Sequence, residues 1–214
     1  MKPRCLIWDW NGTLLDDLQL CLSLLNEMLE ENGSPNRYDT AAYREIFGFP
    51  VVDYYRRAGL DFEKRSFEAL AADYVARYDP ASLACSLCPG AADALAALKS
   101  AGVRQVILSA SELGLLKSQV ERLGLAGYFD ELLGQADHYG HGKLETGRAW
   151  IARQNFDPAE AVLVGDTLHD AQVARGLGAN CVLCAAGHQS RARLLTAGVP
   201  VIGTLAELPA LLGL

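Results

Sequence analysis

The sequence predicts an α/β fold: a parallel sheet with helices on both faces, interrupted near its start by an all-helical insert. Three observations predict it. Short apolar runs alternate with helical segments from Pro89-Gly90 onward, the pattern of strands joined by crossover helices. Residues 16–83 instead repeat apolar side chains at helical spacing and hold no convincing strand. The length, 214 residues, is long for one average domain and short for two, since domains mostly run ~100–200 residues. One domain carrying an insertion fits it.

Taken in order, Arg4–Asp9 reads as a short buried strand ending in the polar loop Asn11-Gly12-Thr13. Leu18, Cys21, Leu22, Leu25, Met28 and Leu29 mark the first helix of the insert, closed by Asn32-Gly33. Asp39-Thr40 caps a second helix, Pro50 opens a third at its first turn, and a fourth runs from about Lys64 to Tyr78. Past Pro89-Gly90, a helix over Ala91–Ser100 precedes a strand over Gln105–Ser109. The Ser111 hydroxyl is a natural N-cap for the next helix. A strand over Tyr128–Leu133 and a helix after Lys143 follow. Asp157-Pro158-Ala159-Glu160 is a capping signature leading into the buried strand Ala161–Gly165. Asn180–Cys184 and Val199–Ile202 supply two further strands.

Composition excludes several function classes. Lys and Arg number 19 against 26 Asp and Glu, a formal charge of −7, which argues against a nucleic-acid partner. The apolar run behind Met1-Lys2-Pro3-Arg4 stops at Asp9, too short for a signal peptide. The segment from Leu194 to Leu214 carries one charge, Glu207, but Pro200, Pro209 and three glycines interrupt it. It is therefore no membrane span, which needs ~20 unbroken apolar residues. Six cysteines include the pairs Cys85/Cys88 and Cys181/Cys184. Cys181 and Cys184 lie three apart in a strand and so point to opposite faces, against a shared zinc. Buried thiols in a reducing cytoplasm are the expectation. A cytoplasmic protein, monomeric or weakly dimeric, without nucleic-acid or membrane partners, fits these features.

Ligands of parallel sheets bind beyond the carboxyl ends of the strands. The residues there are Asp9, Ser109 and Asp166, with Lys143 at the start of a helix. Asp9 and Asp166 both directly follow apolar strands, and adjacent parallel strands bring them together. Two close carboxylates repel unless a cation lies between them. Oxygen ligation with room for water suits Mg²⁺. Lys143 neutralises a further negative group. Ser109 and the amides of Gly12, Thr13 and Ala110 are candidates to hold phosphoryl oxygens, because free N–H groups at strand-to-helix turns bind anions.

These residues resemble the haloacid dehalogenase superfamily of phosphatases and related hydrolases. Its first motif, an Asp-x-Asp-x-Thr loop, stands here as Asp9-Trp10-Asn11-Gly12-Thr13. Val106-Ile107-Leu108-Ser109 resembles the second motif, Lys143 the third, and Gly165-Asp166-Thr167-Leu168-His169-Asp170 the fourth. The insert is similar to the family's small helical cap, and the closest likeness is to phosphoglycolate-phosphatase-like members. The resemblance implies a Rossmann-like catalytic core over residues 1–14 and 85–214 and a cap over 15–84. It implies that Asp9 attacks phosphorus to form an aspartyl-phosphate, which water hydrolyses. It also implies that Asp9, the carbonyl of Asn11, and Asp166 hold Mg²⁺, while Asp170 orients the metal's waters or Lys143. The substrate it implies is a small phosphorylated metabolite.

The sequence departs from the family at Asn11, where phosphatases usually carry the Asp that protonates the leaving oxygen. An amide exchanges no proton at neutral pH. General acid–base help is typically worth ~10²–10⁴-fold. Three readings stay open. One is a phosphatase with another acid, His169 being a candidate, or with an easily cleaved substrate such as an acyl phosphate. Another is a carbon–phosphorus hydrolase, for which Lys64 is the only cap lysine available. The last is a weakly active protein that binds and regulates through a phosphorylated ligand. In the cap, Phe47-Gly48-Phe49-Pro50 resembles the family's specificity loop. Arg56 is a candidate to grip a second anionic group on the substrate, with Arg57 beside it. Tyr54 and Tyr55 either line the cleft or pack the cap. His138 and His141, flanking the approach to Lys143, read as loop residues before metal ligands.

Overall fold

The computed structural model describes residues 2–136 and 142–214. Strand β1 (Cys5–Trp8) is apolar and buried throughout. A two-residue strand, β2 (Leu15–Asp16), leads into four helices: α1 (Leu18–Glu31), α2 (Thr40–Ile46), α3 (Val51–Ala58) and α4 (Phe67–Ser82). The chain returns through β3 (Ser86–Leu87), which pairs antiparallel with β2. Next come α5 (Ala91–Ser100), β4 (Arg104–Glu112), α6 (Leu113–Arg122) and β5 (Glu131–Gln135). They are followed by α7 (Lys143–Ile151), β6 (Ala161–Gly165), α8 (Leu168–Leu177) and β7 (Asn180–Cys184). Helix α9 (Arg191–Leu195), β8 (Val201–Ile202) and α10 (Leu208–Leu211) close the chain.

Six strands form one parallel sheet in the order β5-β4-β1-β6-β7-β8. The chain builds outward from β1 to β5 on one side, then crosses back to β6 and builds the other. The carboxyl end of β1 therefore lies at the point where strand order reverses, where such sheets form a crevice. Side chains alternate across the sheet. Leu6 and Trp8 pack with Leu95, Leu98 and Leu208 on one face; Cys5 and Ile7 pack with Trp150, Ala174 and Leu177 on the other. Cys184 joins the first cluster and Cys181 the second, so their sulfurs do not converge. The helical segment has its own core, in which Leu25, Met28, Leu29, Tyr43, Tyr54, Tyr55 and Leu70 are buried together.

Several boundaries differ from the sequence reading. Strand β4 runs on to Glu112, so Ser111 caps nothing. Glu112 caps α6 instead, its two carboxylate oxygens accepting from the amides of Gly114 and Leu115, where a hydroxyl offers one shorter arm. Strand β5 starts at Glu131 because Ala126–Tyr128 winds into a 3₁₀ turn. Strand β8 keeps only Val201–Ile202, consistent with the missing N–H of Pro200 just before it. Helix α4 starts later, on a Ser66 cap, and continues through Pro80 to Ser82.

Candidate active site

The site follows from strand register. Trp8 on β1 stands opposite Ile107 on β4 and Val164 on β6. Asp9, one residue further along β1, and Ser109 and Asp166, two residues further along β4 and beyond β6, are thus delivered to the same sheet end. The Asp9 amide donates to the Val164 carbonyl at 2.8 Å, extending the ladder into the loop. Lys143, the first residue of α7, is buried and reaches across β1. Its Nζ donates to Asp9 Oδ1 at 2.5 Å and to Asp170 Oδ1 at 2.7 Å. Thr13 Oγ1 donates to Asp9 Oδ2 at 3.0 Å and lies 3.3 Å from Asp166 Oδ1. The second oxygen of Asp170 accepts from the Thr167 amide and hydroxyl at 3.0 and 2.7 Å.

Carboxylate oxygens of Asp9, Asp166 and Asp170 all lie within 4.8 Å of one another, and all three side chains are buried. Burial pushes the Asp9 carboxyl up to about 6 against the pull of Lys143. Burial pushes Asp166 up to about 8 against the pull of His188. For Asp170 burial works in the same direction, but Lys143 overrides it and holds the group low. Burial would lower Lys143, and Asp170 and Asp9 override that in turn. Two of the three carboxylates thus share one ammonium, and Asp166 lies outside its reach. An all-oxygen donor set short of positive charge fits a hard divalent cation. Space is also kept clear: a Cβ at Gly12, whose φ is +70°, or at Gly187 would collide with Asp166 Oδ2.

A second constellation sits beside the first. His188, four residues past β7, donates its amide to Asp166 Oδ2 at 2.6 Å. Its ring lies 2.9 Å from the Tyr43 hydroxyl through Nδ1 and 3.1 Å from Asp17 Oδ1 through Nε2. Burial lowers His188, but Asp17 raises it further, to about 9. Asp17 is held low by the same partner against its own burial. The imidazolium and carboxylate therefore form a buried ion pair between the sheet and the helical segment. Arg44 extends the seam by donating to the carbonyls of Gly187 and Ala186, and Arg193 by donating to those of Arg44 and Phe47.

Asn11 belongs to this second constellation. Its Nδ2 donates to Asp17 Oδ2 at 2.9 Å and to the Tyr78 hydroxyl at 2.6 Å, and its Oδ1 accepts from Ser111 Oγ at 2.6 Å. The Gly12 amide donates to Asp17 Oδ1 and the Leu15 carbonyl, and the Thr13 amide to the Trp10 carbonyl. Those two amides have partners, against the expectation that they stand free for an anion. Ser109 is fully buried, and its Oγ accepts from the Ser111 amide at 3.0 Å; Ala110 lies between them on β4.

Other sequence candidates fall elsewhere. Arg56 pairs with Asp53 at 3.0 Å and lies over Phe62, while Arg57 is the neighbour that lines the cleft. Tyr54 and Tyr55 pack the helical core. Lys64 Nζ donates to the Asn32 carbonyl at 3.2 Å, behind α1. His169 sits at the cleft mouth with its ring 4.8 Å from that of Phe49, and burial and Lys143 lower its pKa. His138 and His141 lie outside the described residues. Asp17, Tyr43, Tyr78, Ser111 and His188 were not foreseen. For His188 the strand-end rule, applied to β7, was the available signal.

A sequence model of haloacid dehalogenase-like hydrolases matches residues 6–184, a span that holds Asp9, Asn11, Asp17, Lys143, Asp166 and Asp170 and ends before His188. The chain belongs to the haloacid dehalogenase-like hydrolase family. Among curated members it is 30% identical over 184 residues to the probable phosphatase IndB of Dickeya dadantii, covering 83% of this chain and 79% of that one. It is 27% identical over 194 residues to a phosphoglycolate phosphatase of Synechococcus elongatus, covering 91% and 89%. Protein Tyrosine Kinase A of Mycobacterium tuberculosis, a solved structure, superposes with a TM-score of 0.82 at 26% identity, over 100% of this chain and 99% of that one. The parallel sheet with helices on both faces is thus the fold of this hydrolase family. Among the described residues no helix is long and apolar enough to cross a membrane.

Proposed function

We propose that this hydrolase is a Mg²⁺-dependent phosphatase of small phosphorylated metabolites, with Asp9 as nucleophile. One observation carries the reading: Asp9 is held from both sides, by Lys143 on Oδ1 and Thr13 on Oδ2, at the centre of a buried carboxylate set. The two bonds fix the carboxylate at the mouth of β1. Attack on phosphorus forms an aspartyl-phosphate and expels the leaving group as its anion, a carboxylate from an acyl phosphate or an alkoxide that takes its proton from water; water then cleaves the aspartyl-phosphate to inorganic phosphate and restores Asp9. Lys143 stays charged throughout and faces the developing negative charge. Asp170 keeps that ammonium in place. Asp9, the Asn11 carbonyl and Asp166 would hold Mg²⁺, which supplies charge neutralisation at the phosphoryl oxygens. Residues 1–14 and 85–214 serve as the catalytic core and 15–84 as the cap. Six free thiols suit a cytoplasmic location.

Asn11 shapes the substrate preference. Its amide is engaged by Asp17, Tyr78 and Ser111, and it has no proton to give the leaving group. Good leaving groups, such as acyl phosphates, are therefore favoured over alkyl monoesters. The position of Lys64 behind α1 gives no support to imine chemistry. Turnover of an acyl phosphate and an alkyl phosphate by the parent and by Asp9→Asn, with and without Mg²⁺, tests the proposal. The expected result is faster acyl cleavage, lost in Asp9→Asn and on chelation. Equal turnover by Asp9→Asn removes the nucleophile assignment.

A further inference from the structure

A cavity of about 190 Å³ opens at the seam between the helical segment and the sheet, with Phe49 and Arg57 on one side and His169, Gln172, Gln189 and Arg193 on the other. Two of its lining residues are chain neighbours of the reaction centre. His169 lies between Asp166 and Asp170 in the loop and first turn after β6, and Gln189 follows His188, whose amide binds Asp166. Three N–H-bearing atoms converge on its floor. Arg57 Nη2, Arg193 Nη2 and Gln189 Nε2 stand 3.4, 3.6 and 3.6 Å from the point a Cβ on Gly48 would occupy. That point lies in ordinary contact range of all three donors, which marks where they converge.

The donors are fixed from behind. Arg193 uses Nη1 on the carbonyls of Arg44 and Phe47, both at 2.7 Å. Arg57 Nη2 reaches the Ile46 carbonyl at 3.2 Å. Gln189 is locked between the Leu168 amide and the Phe47 carbonyl at 2.8 and 3.0 Å. A guanidinium has five N–H groups, so several remain to donate. Among the described residues neither arginine has a carboxylate in ion-pair contact, whereas Arg56, Arg65 and Arg77 on the same helical segment each do. Burial depresses Arg193; Glu45 opposes this without reaching ion-pair contact, and Arg57 adds a smaller depression. Two preorganised like charges at one opening attract an anion between them.

We propose that Arg57, Arg193 and Gln189 form a subsite for a second anionic group carried by the substrate. The substrate class is then a phosphorylated compound whose far end bears a carboxylate or second phosphate. This rests on the phosphatase reading, deepens it, and assigns the anion grip to Arg57 where Arg56 was the sequence candidate.

A matched pair tests it: phosphate esters of a hydroxy acid and of its carboxamide, with p-nitrophenyl phosphate as a reporter that carries no distal anion. The parent should favour the carboxylate by about tenfold to a hundredfold in kcat/KM, the range of a charged hydrogen bond. Arg57→Gln should bring the ratio to near one, through a loss on the carboxylate ester larger than that on the carboxamide or on p-nitrophenyl phosphate. Arg193→Lys, which keeps the charge and loses the fork, should give an intermediate ratio. A parent ratio near one, or a ratio unchanged in Arg57→Gln, overturns the subsite. If the parent cleaves an acyl phosphate but none of these esters, calorimetric titration with sulfate decides the subsite; if it cleaves neither, the phosphatase reading fails and the same titration still decides the subsite. Binding lost in Arg57→Gln supports it, and equal or no binding in both proteins overturns it.

Discussion

The Asn11 side-chain amide donates to the Asp17 carboxylate across 2.9 Å, and Asp17 is in turn paired with His188. Position 11 therefore needs a donor, because a buried carboxylate already occupies the other side of the contact. A carboxylate at position 11 would face Asp17 and forfeit the bonds from Asn11 to Tyr78 and Asp17. Asn11→Asp is expected to cost roughly 1–3 kcal/mol of stability, the range for unsatisfying a buried polar group. Asn11→Asp combined with Asp17→Asn restores one donor facing one acceptor and should recover part of the loss. Urea unfolding of the parent, both single variants and the double variant measures the coupling; strict additivity would contradict it.

The Asp17–His188 pair gives a signed pH dependence. His188 is raised to about 9, so its contribution is complete below the ordinary histidine value of ~6.5 and lost as pH rises through about 9. Asp17 is lowered, so its contribution is complete above the ordinary aspartate value of ~3.9 and lost as pH falls through its folded value. His188→Gln should therefore destabilise by roughly 3–5 kcal/mol near pH 6, as removal of one partner from a buried pair does. The deficit should shrink above about pH 9. Denaturant titrations at pH 6 and pH 10 make the comparison.

Asp9 and Asp166 work in the opposite sense. Their folded values, about 6 and about 8, lie above the unfolded ones, so these groups weaken the fold as pH rises from ~4 toward 8. A divalent cation that neutralises them relieves this. Added Mg²⁺ should raise Tm more at pH 8 than at pH 5, with a smaller gain in Asp166→Asn. Thermal melts with and without MgCl₂ at both pH values test it; shifts equal at the two would remove the carboxylates as the site.

Lys143→Met should lower kcat by about 10²–10³-fold, the scale of removing one preorganised positive donor. It also leaves Asp9 and Asp170 facing each other without their shared ammonium. Steady-state kinetics on the acyl phosphate, with circular dichroism as a check on folding, measures the effect.

Much of this was readable from sequence because its signals are local. Ala161–Gly165, Asn180–Cys184 and Ala91–Ser100 match their elements residue for residue, each bounded by a cap or a turn. Asp9, Asp166 and Lys143 were legible because strand ends are set by hydrophobic runs. Asp17, Tyr43 and Tyr78 were not. Their roles depend on how the helical segment seats against the sheet, a contact with no periodicity to betray it. Ser111 was misassigned for the same reason, its hydroxyl being taken by Asn11 from a distant loop. Arg56 and Arg57 are adjacent and chemically alike, so only the rotation of α3 separates the arginine paired with Asp53 from the one at the cleft.

The nucleophile is the assignment on which the other roles depend, and a rapid-quench single turnover tests it most directly. Protein mixed with excess acyl phosphate and Mg²⁺, stopped in acid and digested, should carry one phosphoryl group on the peptide containing Asp9. That adduct should form and decay at rates compatible with kcat, and Asp9→Asn should show neither adduct nor turnover. Turnover without the adduct, or an adduct on another residue, would contradict the account.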